Sequence, residues 1–302
     1  MKRIFVSLGL PCLLAVILSA ACGRVQETAT AEPVAQTDAR PPRILVTNDD
    51  GYTTEGIAAM AERLSEFADV VVVAPKENES GSSQSARVYW KEDGIRVFEV
   101  SIDENLTGYA IDGTPTDCVF LGLKIFGREK PFDLVVSGIN HGANIGIAYY
   151  YSGTVGAAFE ALVNGIPAIA VSQSGSRADV ETTAYFAARV VRKVLAQPLD
   201  EGVLLSINVP DGEIECVVAV PPGSYPWDIA FQPVNEADGD TVYQGESFER
   251  GEQEPGRDVR TYLDGCVTVT PFQLDRTHHP TFETIAGWEP GLESMLNPGP
   301  PD

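Results

Sequence analysis

The sequence predicts an α/β fold built on a mostly parallel sheet, and three observations predict it. Short buried-strand runs alternate with stretches whose apolar residues recur at helical spacing. The first strand, helix and second strand are completed within about thirty residues, the length of a right-handed parallel crossover. Three strands then run straight into loops rich in Asp, Asn, Ser and Gly. Ligands of open α/β sheets bind beyond the carboxyl ends of the strands, so the shared chemistry of these loops places the candidate site there.

At 302 residues the chain has material for one large domain, preferred here over two small ones. A formal charge of −22 excludes duplex nucleic acid as a partner, because phosphate-backbone binding needs a basic face. A small anionic substrate then needs a local cation. No G-x-x-x-x-G-K-[ST] or G-x-G-x-x-G pattern occurs, so neither a P-loop ATPase nor a dinucleotide-dependent dehydrogenase is supported.

Residues 1–21 read as a signal peptide. Lys2 and Arg3 precede an apolar run from Ile4 to Leu18, and Ser19-Ala20-Ala21-Cys22 supplies small residues before a cysteine. The preferred expectation is a bacterial lipoprotein lipidated on Cys22, exported and held on a membrane by its acyl chains, with plain secretion and a retained anchor helix as alternatives. Cleavage removes two positive charges and no negative ones, so the mature charge is −22 − 2 = −24. Residues 22–42 are rich in Ala, Thr, Pro and Gln and read as a flexible tether.

The organising stretch is Arg43-Ile44-Leu45-Val46-Thr47-Asn48-Asp49-Asp50-Gly51, a strand that ends on two adjacent carboxylates and a turn glycine. Once the chain turns, Asp49 and Asp50 make a hard oxygen site of the kind Mg²⁺ or Mn²⁺ prefers; the plainer reading is an Asx turn capping the next helix. Ile57, Met60, Ala61, Leu64 and Phe67 place that helix at about 56–67, and Val70–Ala74 form the second strand. The loop Lys76–Ser85 reads as mobile from its composition, but its position at the carboxylate end argues for folding over the site. Val88–Val100 alternates as a pair of short strands, and a helix starts near Thr116. Phe132–Ser137 is a strand running into Gly138-Ile139-Asn140-His141-Gly142-Ala143-Asn144. Ser152-Gly153-Thr154 begins a small-residue helix whose start suits either ordinary capping or a phosphate. Ile166–Ser172 is a strand, Thr183–Leu195 a helix and Leu204–Pro210 the last clear strand of the sheet. Residues 221–280 read as an arm or flap without a core of its own, and 281–302 as a frayed tail. Of the five cysteines, Cys12 and Cys22 belong to the signal; a Cys216–Cys266 disulfide is open, with free buried thiols preferred.

Taken together, Ile44–Gly51, Ala74-Pro75 with the serine loop, Gly113–Cys118, Ser137–Asn140 with Gly142 and Asn144, Ser152–Val155, Asn208–Pro210 and Val267–Pro271 resemble the SurE family of nucleotidases, in family order across residues 43 to about 275. The resemblance implies a Rossmann-like core with helices on both faces, a β-rich C-terminal arm exchanged between subunits of a homodimer or tetramer, and a metal-dependent 5'-nucleotidase. It also implies one divalent ion per subunit, Mg²⁺ or Mn²⁺, held by Asp49, Asp50, Ser80 and Asn140. Arg257-Asp258 stands where the family usually has Thr-Asp.

The expected chemistry is hydrolysis of a nucleoside monophosphate, with Asp49 and Asp50 catalytic, Asp49 orienting or deprotonating water, and Asn48, Asn144, Ser152, Gly153 and Thr154 binding phosphate oxygens. A covalent aspartyl-phosphate is the competing route. His141 reads as a solvent-facing residue before a general acid. The rival functions are a non-catalytic nucleotide-binding lipoprotein of the same fold and a metal-dependent glycosyltransferase.

Overall fold

A computed structural model describes residues 40–174, 179–224, 227–237, 240–249 and 251–288. The signal, Cys22, nearly all of the tether and the end of the tail lie outside the described residues.

β1 (Arg43–Thr47) alternates perfectly: Ile44 and Val46 face one core cluster, Leu45 the other. The rest of the sheet repeats that division. α1 (Glu55–Ser65) buries Ile57, Met60, Ala61 and Leu64 on the Ile44 face. β2 (Asp69–Pro75) follows as the parallel neighbour of β1. β3 (Val97–Ser101) and β4 (Thr107–Ile111) form an antiparallel pair at one edge. The expectation of two strands within 88–100 is corrected here. Arg87–Tyr89 is a single 3-10 turn, and Asp103 Oδ1 accepts from the N–H groups of Asn105 and Leu106, which reverses the chain so that β3 pairs with later residues.

α2 (Pro115–Leu121) starts on a capping box between Thr114 and Asp117. β5 (Leu134–His141), α3 (Gly153–Val163), β6 (Ala168–Gln173), α4 (Val180–Ala196) and β7 (Val203–Val209) complete the parallel part. Residues of α1 and α4 belong to the core on one face of the sheet, those of α2 and α3 to the core on the other.

β7 is not the last strand of this sheet. β8 (Cys216–Ala219) and, after a separate antiparallel hairpin of β9 (Trp227–Ala237) and β10 (Asp240–Glu249) and the short helix α5 (Asp258–Leu263), β11 (Cys266–Gln273) return to it. β11 runs antiparallel to β7 and parallel to β8, giving nine strands in the order β3-β4-β2-β1-β5-β6-β7-β11-β8. Some sixty residues separate β7 from β11, so no local pattern announces the pairing. The tail is also more ordered than expected near its start: α6 (His279–Ala286) is a helix, though it buries none of its residues.

The register sets Cys216 opposite Cys266, and the two form a disulfide, correcting the preference for free thiols. It closes a loop of sequence separation 50 and fastens the edge strand β8 to its neighbour. Cys118, buried, is the free cysteine among the described residues. Thiol titration of the unfolded, unreduced chain is expected to leave Cys216 and Cys266 unreactive. Reduction should lower stability by about 3–5 kcal/mol; an unchanged melting temperature after reduction would remove the link.

Candidate active site

The chain passes from β1 outward through β2 to β4, then crosses back to β5 on the other side of β1. The order reverses between β1 and β5, and the crevice of such a sheet opens there. Asp49 and Asp50 leave β1 at that point, and Asn140 and His141 end β5 beside them.

The turn after β1 is built by its own side chains. Asn48 Nδ2 donates to Gly51 O (2.9 Å) and Thr54 Oγ1 (3.0 Å), while Asn48 Oδ1 accepts from Gly51 N (3.3 Å). Gly51 has φ +104°, a conformation that disfavours any side chain. Both ends of the Asn48 amide are thus spent on the turn. In this arrangement Asn48 braces the turn that carries the two carboxylates.

Asp49 points toward α3. Its Oδ1 accepts from Thr154 Oγ1 at 2.5 Å, and its backbone O accepts from Glu79 N at 2.7 Å. The residue is 3 % exposed, and no cationic side chain pairs with it among the described residues. Burial raises its pKa to about 6, against the lowering effect of the Thr154 hydrogen bond and with a further rise from the charge of Asp50. Asp50 points the other way. Its Oδ2 accepts from His141 N at 2.8 Å, and Asn78 Nδ2 approaches its Oδ1 at 3.5 Å.

Asn140, also buried, donates its Nδ2 to Gly142 O (2.6 Å), which leaves its Oδ1 available as a ligand. Ser80 is exposed, and its N–H donates to Asn78 Oδ1 (2.9 Å), so Asn78 links it to Asp50. A cavity of about 590 Å³ opens beside these groups, lined by Asp50, Thr54, Asn78, Ile139, Asn140 and His141 among others. A larger one, about 720 Å³, lies beside Arg40, Phe67 and Arg192; its Asp133 is already paired with Arg40, so it offers no free carboxylate.

The start of α3 closes the site from the opposite face. Ser152 is its N-cap, with Oγ accepting from Val155 N at 3.1 Å, so the capping reading applies and only the hydroxyl hydrogen remains for a ligand. Gly153 is required by close approach: a Cβ there would lie 2.8 Å from both Asp49 Cβ and Ser82 Oγ. The serine loop is folded rather than free. Ser83 N and Oγ donate to the carbonyls of Tyr151 (3.1 Å) and Tyr150 (2.7 Å), which corrects the reading from composition and agrees with that from position. Asn144 is tied to the neighbouring strands, its N–H donating to Asn208 Oδ1 (2.7 Å) and its Nδ2 to Ser172 Oγ (2.8 Å). His141 is exposed.

A model of the family described as Survival protein SurE matches residues 44–224. The chain belongs to the SurE family. Among the relatives of this SurE chain, the 5'-nucleotidase SurE of Halorhodospira halophila is 39% identical over 255 residues, covering 82% of this chain and 98% of the relative. The 5'/3'-nucleotidase SurE of Klebsiella pneumoniae is 39% identical over 251 residues, covering 82% and 96%. The crystal structure of a SurE protein from Aquifex aeolicus superposes with a TM-score of 0.71 at 36% identity, over 82% of this chain and all of that one. The mostly parallel sheet of the SurE fold is therefore shared with a solved relative.

Two further polar residues stand out near these elements. Ser82 Oγ is buried against Gly153 with no partner. Asp258 is 1 % exposed; its Oδ2 accepts from Gly146 N (2.9 Å) and its Oδ1 from Gly223 N (2.7 Å) and Val259 N (2.7 Å). It joins the loop after β5 to the segment after β8. Asp258 was visible in the sequence as the acid of the Arg257-Asp258 pair, whereas Ser82 is one of four serines in its loop and nothing local singles it out.

Proposed function

We propose that this SurE-family chain is a hydrolase, a metal-dependent phosphomonoesterase that converts nucleoside 5'-monophosphates, and 3'-monophosphates with them, to nucleoside and phosphate. The observation that carries the reading is the buried carboxylate of Asp49, paired with no cationic side chain among the described residues, held by Thr154 at the start of α3 and followed by Asp50 at the end of β5. The names of the nucleotidase relatives support the substrate class.

The donor set fits a hard divalent cation. Two carboxylates, the free amide oxygen of Asn140 and the hydroxyl of Ser80 are oxygen ligands of the type Mg²⁺ or Mn²⁺ takes. A buried carboxylate whose pKa rises for want of a counter-charge is what a bound cation would relieve. When bound, such an ion supplies positive charge against the phosphoryl oxygens. Thr154 fixes the rotamer of Asp49, and Asp49 holds or accepts the proton of the attacking water. Ser152, Gly153 and Thr154 at the start of α3, with Asn144, are the groups assigned here to the phosphoryl oxygens.

Export as a lipoprotein through Cys22 completes the reading. The isolated hairpin of β9 and β10 exposes Ile229, Phe231, Tyr243 and Phe248, and a two-stranded sheet is marginal alone, which favours an arm exchanged within a homodimer or tetramer. The deciding experiment incubates residues 23–302 with Mg²⁺ or Mn²⁺ and a panel of nucleoside monophosphates and measures inorganic phosphate with and without chelator. Release that the chelator abolishes is expected. Nucleotide binding without release would instead identify a non-catalytic binding protein.

A further inference from the structure

Ser82 lies in a turn whose backbone is committed. Its N–H donates to Glu79 O (3.1 Å) and its O accepts from Ser85 N (3.2 Å), so the side chain leaves the loop in one direction. That direction is the junction of β1 and α3. A Cβ placed on Gly153 would lie 2.8 Å from Ser82 Oγ and 3.0 Å from Asp49 Oδ2, so the absence of a side chain at 153 brings the hydroxyl and the carboxylate to one small space. Ser82 Oγ is buried there and meets no donor or acceptor of the protein.

An unpaired buried hydroxyl is costly, and alanine would fill the same turn without that cost. A ligand oxygen at the start of α3 would satisfy it. Ser80, the serine expected from the motif, is exposed on the Asp50 side of the site, whereas Ser82 faces Asp49 and Gly153. We propose that Ser82 is a substrate-binding residue whose Oγ–H donates to a non-bridging phosphoryl oxygen held between Asp49 and the N-terminus of α3. The proposal rests on the phosphomonoesterase reading and adds to it a contact outside the expected ligand set.

The test compares the wild-type chain with Ser82→Ala and with Ser82→Cys, which keeps the size of the side chain but donates weakly. Each, with Mn²⁺ present, is measured for kcat and KM on a nucleoside monophosphate and for the melting-temperature shift produced by inorganic phosphate. Both variants should lose about 10- to 100-fold in kcat/KM, the range for a hydrogen bond to a charged group, mainly through KM. They should also lose the phosphate-induced shift, while Ser82→Ala melts at or above the wild-type temperature in the absence of phosphate. A merely structural serine would give the opposite pattern, a lower melting temperature with the phosphate shift retained. Variants within about twofold of wild type that keep the shift would overturn the role of Ser82 and leave the phosphatase reading intact. A wild-type chain that releases no phosphate and shows no shift would overturn both.

Discussion

Asp49→Asn is expected to fold and to lose phosphate release by on the order of 10²–10³-fold or more, the scale seen when one preorganised charged or polar group is taken from a reacting centre. Asn has nearly the shape of Asp and can still accept from Thr154 Oγ1, so packing at the head of α3 is retained. What disappears is the negative charge. In the metal-free wild-type protein the Asp49 carboxyl is raised to about 6, above its ordinary value of 3.8. The folded chain therefore binds this proton more tightly than the unfolded chain does. The stability it contributes is fully present below about pH 4 and is lost as pH rises through about 6. Asn does not titrate, so metal-free Asp49→Asn should gain on wild type in melting temperature as pH rises from about 4 to about 6, with the gap level above that. Adding Mn²⁺ should close that gap from the wild-type side. Near-normal turnover by the variant would remove the carboxylate from the chemistry, and a pH-independent gap would remove its buried charge from the stability argument.

Asp258→Ala should cost the most stability of the substitutions considered, about 2–4 kcal/mol, because it strands the buried N–H of Gly146 and the part-buried N–H of Gly223 together. Burial raises the pKa of its carboxyl group, opposed by the three N–H groups that donate to it. The loop carrying Asn144 and leading to Ser152 would lose its tie to the segment after β8, so a fall in kcat/KM should accompany the fall in melting temperature. Asp258→Asn keeps one acceptor and should recover part of both. Full activity in Asp258→Ala at a temperature where it remains folded would separate this junction from the site.

Much of the fold was legible because it is local. The alternation Ile44, Leu45, Val46 and the spacing Ile57, Met60, Ala61, Leu64 state which faces are buried, and burial faces decide strand and helix wherever tertiary contacts do not intervene. The strand ends were legible in the same way: Asn-Asp-Asp-Gly after a strand names the turn and its two carboxylates, and Ser-Gly-Ile-Asn names the end of the neighbouring strand. The division of labour inside those motifs was not legible. Asn48 and Asp49 are adjacent and equally polar, yet one is consumed by the turn and the other faces α3.

By itself, then, the sequence determined an α/β sheet with its carboxylates at the strand ends and a SurE-type order of motifs, since each of these follows from the chemistry and period of neighbouring residues. Only the tertiary structure decided that β11 and β8 extend the sheet, that Cys216 joins Cys266, that Asp258 ties two distant loops and that Ser82 rather than Ser80 meets Gly153. Those outcomes depend on which distant segments lie side by side, and the free energy that selects among such pairings belongs to the packed whole, not to any stretch read alone.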